Sequence, residues 1–103
     1  MALLPSDFQE EELKFYSGSA LTASNISPNG AGYITVPVPS GASEILDIIP
    51  KGVGANASWD GLTGFAFLYT ENTSTKHEIW FRPIGGNTLQ AQKYRVYYSL
   101  IYK

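Results

Sequence analysis

The chain has 103 residues, of which 44% are hydrophobic, 16% charged and 14% aromatic, with a net charge of −2 and a pI of about 5.2. That length and composition fit one globular domain with a modest core. Seven scattered Lys and Arg argue against a nucleic-acid binder, which shows a basic patch or stripe, and the lack of cysteine excludes disulfides, thiolate metal sites and cysteine catalysis.

Residues 1 to 12 read as an acidic lead-in. Met1-Ala2-Leu3-Leu4-Pro5 lacks the basic start and long apolar stretch of a signal peptide. No run in the chain approaches the roughly 18 apolar residues of a membrane helix, so no membrane insertion is expected. Ser6 or Asp7 would cap one helical turn over Ser6-Asp7-Phe8-Gln9-Glu10-Glu11-Glu12, since carboxylates favour a helix N-terminus. A solvated acidic arm is the other reading.

From Leu13 the pattern changes to short β-type runs. Leu13 to Tyr16 reads as a strand start, interrupted by Ser17-Gly18-Ser19, and Ala20 to Ile26 as a second short strand. Ser27-Pro28-Asn29-Gly30-Ala31-Gly32 is a turn, because Pro presets one dihedral and Asn-Gly tolerates positive φ. Tyr33 to Pro39 alternates strictly, which puts Ile34, Val36 and Val38 on the core face. Pro37 has no N–H to donate, so that strand belongs at a sheet edge. After a turn at Ser40-Gly41-Ala42, Glu44 to Ile49 reads as a strand buried on both faces except near Asp47. Leu46 and Ile48 share one side, Ile45 and Ile49 the other, and Pro50 ends it.

A long loop is then expected from Lys51 to Thr63. Gly64 to Thr70 follows as a strand with Phe65, Phe67 and Tyr69 on one face. Glu71 to Lys76 connects it to a hairpin partner, His77 to Ile84, where Ile79 and Phe81 oppose Trp80 and Arg82. Gly85-Gly86-Asn87 turns the chain again. Leu89 to Tyr102 is the last and longest strand, with a bulge near Gln92. The spacing holds no crossover helices, so the sheets should be antiparallel. The expected fold is therefore all-β: a short lead-in over residues 1–12, then one jelly-roll-like antiparallel β-sandwich over 13–103, with about six to eight strands.

Enzyme signatures are thin, and no enzymatic activity is expected. The single histidine, His77, has Glu78 beside it, but neighbours in a strand point to opposite faces, so no oriented general base results. Asp47, Asp60, Glu71 and Glu78 form no matched carboxylate pair. One histidine without cysteine makes no standard zinc site, and an oxygen-ligand Ca²⁺ site at Asn56 and Asp60 lacks the acidic loop pattern. No metal and no cofactor is expected. Gly52-Val53-Gly54-Ala55-Asn56-Ala57 matches G-x-G-x-x-A, but turn residues follow it instead of a helix. The N-x-[ST] triplets at Asn25, Asn56 and Asn72 fall in or beside turns, which those residue types favour anyway.

Two features point to binding. Trp59 stands in a loop of small residues, where it either plugs the end of the core or projects as an anchor. With Asn56 and Asp60 it would suit a carbohydrate, offering one ring to stack on and polar groups for hydroxyls. In the last strand Tyr94, Val96, Tyr98, Leu100 and Tyr102 share one face, while Lys93, Arg95, Tyr97, Ser99, Ile101 and Lys103 share the other. The second row keeps Tyr97 and Ile101, so it is not a plain solvent face. Contact with a second copy of the chain accounts for it, and so does a second sheet layer.

The run Ile26 to Pro39, then Gly41 and the strand Ile45 to Ile49, resembles small structural modules of tailed bacteriophages: tail-fibre heads, receptor-binding domains and minor virion proteins. The likeness spans residues 13–103, and no functional residue carries over from it. It implies a compact β-sandwich in a homo-oligomer, commonly a trimer, with other virion proteins as partners and no enzymatic role. Such parts are made in the host cytoplasm and reside in the virion. The alternative is a carbohydrate- or cell-surface-binding β module that uses the Trp59 loop on a host-surface glycan.

Overall fold

The computed structural model describes residues 12–23, 25–27, 30–55, 64–84 and 94–103. They form six strands: β1 (Lys14–Leu21), β2 (Gly32–Thr35), β3 (Ile45–Ala55), β4 (Gly64–Asn72), β5 (His77–Ile84) and β6 (Tyr94–Tyr102). There is no helix among the described residues. The strands make two three-stranded sheets, ordered β1-β6-β3 and β2-β5-β4. Every pairing is antiparallel, as the lack of crossover segments requires.

The central strands carry the cleanest alternation. In β5, Ile79 and Phe81 are fully buried and Trp80 and Arg82 face away, as expected. In β6, Tyr94, Val96, Tyr98 and Leu100 are buried. These two rows, with Ile26, Ile34, Val36, Ile45 and Ile48, form one core cluster drawn from both sheets. Phe65 and Phe67 pack against it and meet each other edge-to-face, with ring centroids 5.2 Å apart. Thr22 is buried just past β1. Its N–H donates to the Tyr94 carbonyl at 3.0 Å, and its hydroxyl has no partner among the described residues.

Several expectations need correction. Ser17-Gly18-Ser19 does not break the first strand, because all three residues pair with β6 in unbroken register. That strand ends at Leu21, and Ile26 makes only an isolated bridge. Pro50 does not end β3 either. The strand runs on to Ala55, with a register shift between Pro50 and Gly52. β3 lies at a sheet edge, and an edge or a bulge is where a strand accepts a proline. The loop expected from Lys51 therefore begins as strand, and the G-x-G match lies in it rather than in a strand-to-helix turn.

β3 is not buried on both faces. A second register shift between Ile45 and Asp47 turns Ile45 and Ile48 inward and leaves Leu46 and Ile49 exposed. In β4 a shift between Phe67 and Tyr69 separates Tyr69 from the Phe65 and Phe67 face. Val38 lies beyond the end of β2 and is 52% exposed, so only Ile34 and Val36 of the expected trio reach the core. β2 is an edge strand, as Pro37 suggested. The Pro39–Ala42 turn closes with Ala42 N–H donating to the Pro39 carbonyl at 3.0 Å, and Gly41 takes the positive φ of 80° that such a turn needs. The lead-in over 1–11 and the segment 85–93, with its expected bulge near Gln92, lie outside the described residues.

Candidate functional site

The inward row of β6 fixes what the other side of its sheet presents. Arg95, Tyr97, Ser99 and Ile101 occupy the outer face of the β1-β6-β3 sheet, and the register sets their neighbours. Phe15 of β1 and Asp47 of β3 flank Ile101. Ser17 and Ile49 flank Ser99, and Ser19 and Gly52 flank Tyr97. Phe15 is 73% exposed, Tyr97 45% and Ile49 40%, while Ile101 is half-buried. The polar groups between them are partly satisfied within the face. The Ser17 and Ser99 hydroxyls bond at 3.0 Å, and the Arg95 guanidinium donates to Ser19 Oγ at 2.9 Å. Gly54 lies under the Tyr97 ring, where an added Cβ would stand 3.1 Å from a ring carbon. The result is a low surface of serines and glycines from which four apolar side chains project.

The opposite outer face, on the β2-β5-β4 sheet, is built differently. Tyr33, Trp80 and Tyr69 stand in register on three adjacent strands. Tyr33 stacks on Trp80 with centroids 4.7 Å apart and planes at 29°; Tyr69 stacks on it at 5.7 Å and 13°. Trp80 Nε1–H donates to Glu78 Oε1 at 3.1 Å along its own strand. Glu71 stands directly across the ladder from Glu78, with Thr35 on the other side, and Arg82 lies beyond the rings. A cavity of about 130 Å³ adjoins this row, walled by Tyr33 and Trp80, floored by Ile26 and Gly32, with Asn25 at its rim.

A larger cavity of about 550 Å³ opens at the β4-β5 hairpin end and includes His77, Asn72, Glu44 and Ser43. Asn72 Nδ2 donates to the Ile45 carbonyl at 2.9 Å, so its Oδ1 faces His77 and accepts from Nδ1–H at 2.9 Å. That bond fixes the orientation of the ring. The Glu44 carboxylate is 3.7 Å from Lys103 Nζ. Glu78 is on the opposite face from His77, where it accepts from Trp80. No nucleophile is held against the ring, so the residues described at this end assemble no general-base constellation.

Trp59, Asn56 and Asp60 lie outside the described residues. Tyr97 and Ile101 fall together on the first outer face, and the structure adds Phe15 and Ile49, which sequence alone did not single out. The aromatic row was also missed. Tyr33 and Trp80 each oppose a core residue in the sequence pattern, but nothing local shows that β2 and β5 pair. Among the described residues no group of three or more His, Cys, Asp or Glu is placed to hold a metal ion, and no helix is long and apolar enough to cross a membrane.

No family model, no curated protein and no solved structure matches the chain.

Proposed function

We propose that this chain is a non-enzymatic structural module that self-assembles through the outer face of the β1-β6-β3 sheet, as part of a virion appendage such as a phage tail. The observation that carries this reading is Phe15, 73% exposed and in register with Ile101, alongside exposed Tyr97 and Ile49. Several large apolar side chains exposed on one face of a sheet mark a contact site. The serines and glycines between these side chains let a second backbone approach closely. β1 adds to the argument because it is an edge strand with an exposed first half, and an edge strand is a template for pairing with another chain.

The fold itself is a jelly-roll-like sandwich in this reading. Supporting it, the last strand lies between the first and third, and the next-to-last between the second and fourth. That is the order produced when a long hairpin is rolled into two layers. Jelly rolls recur in viral capsid and lectin domains, which favours a virion part by analogy of fold alone.

Light scattering behind a sizing column, at several concentrations, tests the proposal. A concentration-independent trimer or higher ring is expected, and Phe15→Glu should shift it to monomer while far-ultraviolet circular dichroism stays unchanged. A monomer at every concentration would sink self-assembly.

A further inference from the structure

We propose that the Tyr33, Trp80 and Tyr69 row is a binding face for a neutral oligosaccharide. Tyr33 and Tyr69 are 43% and 53% exposed, so a folded chain leaves much aromatic area in water on one side of one sheet. Trp80 has a tyrosine stacked on each side, and Tyr33 and Tyr69 carry the most exposed aromatic surface of the row. Such rings are apolar bodies with polar tips, suited to the alternating C–H and O–H surface of a pyranose.

The row is also held in place before any ligand arrives. Stacking on both sides and the bond to Glu78 fix Trp80. Tyr33 and Tyr69 are fixed by stacking on it. A face ordered in advance loses little side-chain freedom on binding.

The flanking groups select the ligand. Glu71 and Glu78 face each other directly across the ladder, an arrangement that costs stability when both are charged. Hydroxyl groups lying over them would donate to both carboxylates and lower that cost. A sialylated or sulfated chain would instead bring a third negative charge to the pair. Arg82, on the far side of the rings, donates where the carboxylates accept. A polyhydroxyl ligand uses both kinds of group, and a bare cation uses only one.

The cavity beside Tyr33 and Trp80 adds a stopping point at the row's edge. Its roughly 130 Å³ exceeds the space of a single water, about 30 Å³, and falls short of a whole drug-sized ligand's pocket, about 300 Å³ or more. It fits one ring substituent or one terminal sugar, with Asn25 at the rim. The ligand is then an oligosaccharide spanning the row, with one end in the cavity. This site is independent of the self-assembly face and uses none of its residues.

The test is an array of β-glucan, galactan and mannan oligosaccharides with sialylated and sulfated glycans alongside, probed with the intact chain, followed by titration calorimetry on the best neutral hit. Saturable binding to a neutral oligosaccharide is expected. Tyr33→Ala and Tyr69→Ala should each weaken it by about tenfold, the loss of one ring contact, with the thermal midpoint little changed. Should either variant unfold, Tyr33→Phe and Tyr69→Phe keep the stack and should retain most of the binding. Failure to bind any neutral glycan, a preference for the acidic glycans, or loss of the oligomer in the tyrosine variants would each overturn the assignment.

Discussion

The two outer faces sit on sheets of the same size, pairing mode and core, yet they are opposite in relief. The β1-β6-β3 face is low, with Ser17, Ser19, Ser99, Gly52 and Gly54 setting its level and Phe15 stacked on no other described ring. The β2-β5-β4 face carries a wall of three rings that brace one another. A free apolar side chain on a low surface can settle into a partner of protein size. A braced aromatic wall between carboxylates and a guanidinium is already shaped, and it suits a small polar ligand. The comparison teaches that one architecture can build two outer faces of opposite character, to which we assign the proposed assembly and recognition, because alternation lets each strand address core and surface independently.

Both faces depend on the shared core, and that dependence gives the largest expected effect. Phe81 is fully buried in β5, at the centre of the sheet behind the aromatic wall. Phe81→Ala should cost about 3–5 kcal/mol by cavity formation and lost burial. If the two sheets form one cooperative unit, chemical denaturation followed by circular dichroism and by oligomer mass will show a single shifted transition. Two separated transitions would break the comparison, since each face would then belong to its own folding unit.

Much of this was legible in the sequence where the pleat is unbroken. The inward rows of β5 and β6 follow from simple alternation, as do the antiparallel sheets and the β4-β5 hairpin. The misreadings cluster at register shifts. One extra residue moves everything after it to the other face, which is why Tyr69 leaves the face it shares with Phe65 and Phe67 in the sequence pattern, and why Ile45 and Ile48, which that pattern puts on opposite sides, both turn inward. Pro50 misled because its effect depends on strand position in the sheet, which is not a local property. The aromatic wall was illegible for the same reason: Tyr33, Trp80 and Tyr69 are distant in the chain, and only the β2-β5-β4 order makes them neighbours.

A smaller perturbation should separate the faces. Gly32 is buried in β2, and a Cβ there would collide with the Ile26 side chain, itself only 3% exposed. Ile26 must shift toward the small cavity that it lines, and Gly32→Ala should cost about 1–3 kcal/mol through overpacking. The strain falls beside Tyr33 and on the floor of the small cavity. Glycan binding should therefore weaken more than the loss of stability accounts for, while the oligomer mass at room temperature is unchanged. Equal damage to both functions would mean that the faces are coupled through β2.

The smallest effect concerns the other sheet and appears only at high pH. Burial pushes the Tyr98 phenol up from its ordinary value of 10.0, and the nearby Tyr16 phenol adds to the shift. In the unfolded chain this phenol ionises as pH rises past about 10, while in the folded chain it stays protonated. The unfolded state then binds fewer protons, so stability is fully present below that pH and declines above it until the folded phenol ionises as well. Tyr98→Phe deletes this contribution. Between pH of about 9 and 11, its thermal midpoint should fall less than that of the unmodified chain, with Tyr16→Phe showing a weaker effect in the same direction. Tyr98 belongs to β6, directly behind the proposed assembly face, so the alkaline loss should reach the oligomer through the stability of that sheet. Parallel midpoint curves for Tyr98→Phe and the unmodified chain would mean that water reaches the phenol, and that the β1-β6-β3 layer is less tightly closed than the sheet that carries the aromatic wall.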